Sequence, residues 1–251
     1  MCRLNVKLRN LVEMKEKNKR IILDAIKKLE IPSEVEVVLE KTKKTPLHGV
    51  FSVYDYKIRD NNQITDLKYI IRYRKSITST ILRQELCHLK LYLSALPTFH
   101  SSGDQKIIGQ ILNILHEDFY VGLISALLFR EDYVSNLEKI LKNEHAEEHF
   151  HEDDDSIAWL LRNCILNKAI CKSIGFDNYY QRFHAKLNKI FSLIEPDLSS
   201  SLKEIEMNLD KLPIIKDGLR PFTSKERDAI IRFMLTTNVI EKKVLKKIHD
   251  H

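Results

Sequence analysis

Residues 82–89 read Leu82-Arg83-Gln84-Glu85-Leu86-Cys87-His88-Leu89. Around them Ile77, Ile81, Leu82, Leu86, Leu89 and Leu93 recur with a period near 3.6, which predicts a helix ending near Pro97. Gln84 and His88 stand four apart and share one helix face, with Glu85 beside them. Before Arg74 the period is two instead. Leu67 to Tyr73 is rich in Tyr and Ile and reads as a strand. The change of period at Arg74 separates a β-region from a helical one, so the chain reads as α+β.

Upstream, two further segments alternate. Glu34 to Lys41 places Val35, Val37 and Leu39 on one face, and Val50 to Ile58 alternates again. Asp60-Asn61-Asn62 is a turn signal before the third strand. Short connections predict a three-stranded antiparallel meander. Ahead of it, Leu11, Ile21, Ile22, Ala25, Ile26 and Leu29 mark one helix over the first thirty residues, stopped by Ile31-Pro32-Ser33.

Downstream, Thr98 to Asp104 reads as a loop. A strongly apolar helix follows from about Gln105 to Phe129. Residues 143–155 are acidic and histidine-rich, and read as an exposed linker or helix end. The remainder is helical: Ile157 to Ile174 with the only tryptophan, Trp159, then Tyr179 to Ile194. Ser201 with Glu204 and Thr223 with Glu226 have capping-box spacing for two more helices, the second running to about Leu235. A lysine-rich helix closes the chain. The division expected is 1–142, a linker at 143–155, and a helical extension over 156–251.

Gln84-Glu85-Leu86-Cys87-His88 matches His-Glu-x-x-His except at its first position, where Gln84 replaces a histidine. In the full motif two histidines grip zinc and the glutamate between them activates the bound water. The motif, with its helix, three strands, helix, helix order, resembles the small zincin metallopeptidases of the minigluzincin and SprT-like kind over about residues 1–130. That resemblance implies a zincin-like fold, zinc as cofactor, His88 as ligand with help from Gln84, and Glu85 as general base. It also implies an acidic ligand on the next helix. There Gln110, Asn113, Glu117 and Tyr120 form a polar stripe through an otherwise apolar helix, which favours Glu117 over Asp118 and His116. Tyr120 would donate to a developing oxyanion. A peptide or protein substrate would lie along an edge strand near Leu67 to Tyr73.

The glutamine leaves three alternatives open. The site binds no metal; it binds metal weakly through Gln84, His88 and Glu117; or Cys87 or a histidine from 145–151 substitutes. Cys87 points about 100° away from His88, which disfavours it. His145-Ala146-Glu147-Glu148-His149 fits the inverted pattern His-x-x-Glu-His, but lies in a charged run that reads as surface, as does neighbouring His151. The different-class alternative to a peptidase is a catalytically inactive pseudoenzyme that binds a protein partner.

Composition narrows the rest. Hydrophobic residues are 43% and charged residues 30% of 251, a globular balance. The net charge of +6 is compatible with nucleic acid, but the lysines are scattered over amphipathic faces without an aromatic-basic motif. Only six glycines exclude glycine-rich phosphate loops, and abundant Lys, Glu and Ile is a thermophile-like bias. Four cysteines without a CxxC pair read as reduced thiols. With no signal-like N-terminus and no apolar run of about 18 residues, the expectation is a cytoplasmic protein without a membrane span.

Overall fold

A computed structural model of the chain describes residues 16–42, 50–58, 64–73, 77–97, 107–143, 150–215 and 220–249. The chain divides into two units, Met1–Lys90 and Leu91–His251.

The first unit opens with helix α1 (Glu16–Lys28). Ile22, Ala25, Ile26 and Leu29 are each fully buried, the single face that the spacing predicts. Glu30 ends it at a φ of 50°, and the Ile31 amide donates back to the Ile26 carbonyl. Strands β1 (Glu36–Lys41), β2 (Val50–Ile58) and β3 (Ile64–Tyr73) follow. They form one sheet in the order β1-β3-β2.

The antiparallel meander expected from the sequence is therefore corrected to a mixed sheet, in a chain that is mostly helical. β2 pairs antiparallel with β3, but β1 pairs parallel with it, Glu36 facing Lys68 and Lys41 facing Tyr73. Each strand does reverse the direction of the one before. What changes is the neighbour. By its number of residues alone, the connection between β1 and β2 can cover the two strand spacings, about 10 Å, that place β3 in the middle. β3 suits that place. Leu67, Tyr69 and Ile71 are buried on one face, while Lys68 and Arg72 on the other lie near Glu36 (3.8 Å) and Glu40 (2.5 Å) of β1. Because β3 is bonded on both sides, Leu67 to Tyr73 offers no edge to a peptide, and that expectation is corrected too.

Helix α2 (Ser79–Leu93) begins where Thr78 accepts from the Ile81 amide, and it buries Leu82, Leu86, Cys87 and Leu89.

The second unit is helical. Helix α3 (Ile107–Leu128) is its centre, in contact with α4 (Arg130–Leu141), α5 (Asp154–Trp159), α6 (Leu166–Ser173) and α9 (Ser224–His249). Between α5 and α6 the helix widens to a π-helical stretch, Leu160–Ile165. Helices α7 (Asp177–Phe191) and α8 (Pro196–Leu209) complete the set. By length and composition α3 could cross a membrane, although the sequence reading found no such run; 61% of its most apolar window is buried within the chain. Gly122 admits α6 closely, since a Cβ there would overlap the Ile170 Cδ1.

The two capping boxes fare differently. Thr223 and Glu226 do form one, with backbone-to-side-chain bonds of 2.8 and 3.3 Å in the two directions. Ser201 lies inside α8 instead, its hydroxyl donating to the Asp197 carbonyl, because Pro196 already starts that helix. The helix expected to stop near Leu235 continues to His249 and absorbs the lysine-rich end. The boundary expected at 142/143 falls inside the second unit. Residue 143 is held there by the Lys186 ammonium on the Asn143 carbonyl at 3.0 Å. Glu152 accepts from the Glu195 amide at 2.7 Å, and Asp153 caps α5 through the Ser156 amide.

Candidate functional site

On α2, Gln84 is exposed while Glu85 and His88 are half-buried. The helix places them as its period requires, Gln84 and His88 one turn apart. Tyr69, fully buried on the central strand, reaches Glu85. Its phenol donates to the Glu85 carbonyl at 2.8 Å and lies 3.4 Å from the carboxylate Oε2. Cys87 is completely buried, facing the packed side of α2 rather than the face of Gln84 and His88.

The remaining expected site residues belong to α3, in the second unit. Glu117 is half-buried; Gln110, at the start of the polar stripe, is exposed. Asp118 is committed to Arg162 of the π-helical stretch, 3.1 Å from Nη2. Tyr120 is 1% exposed and its hydroxyl donates to the Pro213 carbonyl at 2.9 Å, with its ring edge-on to Phe119 and Phe222. Burial drives its phenol far above the ordinary value of 10.0, so it stays protonated. Its one proton is already placed; service as an oxyanion donor would require giving up Pro213.

His116 is also 1% exposed. Its Nε2 lies 2.9 Å from the Pro97 carbonyl, which fixes the proton on that nitrogen. Nδ1 is buried with no hydrogen-bond partner. Burial pushes this imidazole below its usual 6.5, against the opposing pull of the Pro97 bond and of Glu117 and Asp118.

His145 and His149, and with them the inverted motif, lie outside the described residues; His151 is exposed. Among the described residues no group of three His, Cys, Asp or Glu side chains is placed to hold a metal. Zinc takes three or four strong protein ligands. On α2 the same face offers one imidazole and a neutral amide, so the donors found there do not fit zinc.

Helix α4 and two polar features of the second unit were not expected from the sequence. Asn167, 6% exposed, bonds the Asn163 carbonyl at 2.9 Å and the Arg162 carbonyl at 3.4 Å, and accepts from the Tyr133 hydroxyl at 2.9 Å. It thereby adds side-chain bonds to two carbonyls of the π-helical stretch. Burial raises the neighbouring Cys171 thiol to about 12, an unreactive thiol. Lys168 pairs with Glu206, and Lys172 with Asp210 at 2.5 Å, two rungs one turn apart between α6 and α8. The lone asparagine inside the apolar run Cys164 to Cys171 was the available signal for the first of the polar features.

No protein-family model, curated protein or solved structure matches this chain.

Proposed function

We propose that the chain is a non-catalytic protein-binding module that carries the remnant of a metallopeptidase helix motif on α2. The observation behind this reading is the donor set. His88 stands on its face of α2 with Gln84 where a second imidazole would be needed, and no three metal-binding side chains gather among the described residues. Two further facts support it. The Glu85 carboxylate lies beside the Tyr69 phenol, and the Tyr120 hydroxyl is bonded to Pro213, so both groups with expected catalytic roles have structural neighbours. Cys87, Cys164 and Cys171 are buried thiols outside any disulfide among the described residues, which suits a reducing compartment and supports a cytoplasmic location.

The test is metal content. Protein purified without chelator or histidine tag, and its His88→Ala variant, should both lack stoichiometric zinc. Near one zinc per chain, lost in His88→Ala, would overturn the reading in favour of a zinc-dependent peptidase that uses His88. Zinc gained by Gln84→His alone would support the remnant interpretation.

A further inference from the structure

Helix α9 presents two apolar faces. Ile230, Phe233, Met234, Thr237, Ile240 and Val244 are buried against its own unit. On the opposite side Ile231, Leu235 and Val239 are 38%, 54% and 58% exposed. They step by four and form a continuous stripe. Single exposed apolar side chains are ordinary, but three in line on one helix are a surface without its cover.

The charges flanking the stripe show what would cover it. Asp228 and Lys242 are exposed and lie on the same face, within about 20° of Leu235 around the helix. Neither makes an ion pair among the described residues. Their positions are symmetric about Leu235: Asp228 is seven residues before it and Lys242 seven after, just as Ile231 and Val239 are four before and four after. An isologous, antiparallel pairing of two α9 helices across Leu235 therefore sets Asp228 of each copy opposite Lys242 of the other. It also sets Ile231 opposite Val239, and Leu235 against itself. A parallel pairing would instead stack Asp228 on Asp228 and Lys242 on Lys242, which repel.

We propose that the outer face of α9 is a self-association surface on which a second copy of this chain docks antiparallel, centred on Leu235. The segment from Asp228 to Lys242 is a strip about 21 Å long and about 10 Å wide, on the order of 200 Å², well short of the roughly 800 Å² per partner of a stable interface. The dimer is accordingly weak and concentration-dependent, with a dissociation constant on the order of 10 μM or weaker. This inference is independent of the metal question, since α9 shares no residue with the α2 motif.

The experiment is sedimentation equilibrium of the full chain from low micromolar to near-millimolar concentration. The wild type should dimerise. Leu235→Glu, which puts two like charges on the symmetry axis, should be monomeric throughout while keeping its thermal midpoint, because the side chain is exposed. Asp228→Lys should weaken the dimer about tenfold, and Asp228→Lys with Lys242→Asp should restore it. A wild type that stays monomeric would overturn the proposal. So would a dimer indifferent to Leu235→Glu, or one weakened by Asp228→Lys that the charge exchange does not rescue.

Discussion

The phenol of Tyr69 donates to the main-chain oxygen of Glu85 at 2.8 Å, tying the central strand of the sheet to the second turn of α2. The tie has a consequence for the motif helix. Glu85 O is already a helix acceptor, so the Tyr69 bond adds order rather than rescuing an orphan. Tyr69→Phe keeps the buried ring and should cost about 1 kcal/mol, read as a lowered urea midpoint with unchanged slope. An unaltered midpoint would show that the bond contributes no net stability.

His116 should make the chain acid-sensitive. Its imidazole is held below 6.5 in the native state by burial, so the unfolded chain takes up the proton first. Stability should fall as pH drops below 6.5 and level off once the native imidazole also titrates. His116→Gln keeps an N–H donor near the Pro97 carbonyl and does not titrate. Melting curves recorded from about pH 8 to pH 5 should therefore be flatter for His116→Gln than for the wild type. Parallel profiles would refute this assignment of the acid sensitivity.

Lys168 is 8% exposed at its side chain and depends on Glu206, itself 16% exposed. Removing one member strands the other charge. Glu206→Leu should cost about 3–5 kcal/mol, while Glu206→Leu combined with Lys168→Met should recover most of it by replacing the pair with apolar contact. A double variant as unstable as the single one would mean that geometry, not the stranded charge, is at fault.

Ala95 ends α2 at a φ of 56°, with the Leu96 amide donating to the Leu91 carbonyl. A left-handed residue at this position favours glycine. Ala95→Gly should stabilise the protein by about 1 kcal/mol, seen as a higher thermal midpoint. A loss of stability would indicate that the backbone entropy of glycine outweighs the relieved strain.

Hydrophobic spacing was enough to find most elements, because a period is a property of adjacent residues. β2 came out with its observed ends, α3 within two residues, and the Thr223–Glu226 cap forms as its spacing implies. The continuation of α9 past Leu235 was hidden because Thr236, Thr237 and Val239 lower helix propensity by only a few tenths of a kcal/mol each. Burial of Thr237 and Ile240 outweighs that.

Strand order was beyond such reasoning. The short connections required β2 to run against β3, and it does, but which strand takes the middle depends on partners thirty residues apart, such as Glu40 and Arg72. The candidate site divides in the same way. That Gln84, Glu85 and His88 share a stretch of helix follows from their spacing. That Tyr120 bonds Pro213, Asp118 holds Arg162 and Cys87 is sealed in the core depends on side chains brought together across 93 and 44 residues of chain, and on packing around α2. Local periodicity carries no information about those partners, since each contact joins residues that only the tertiary packing brings together.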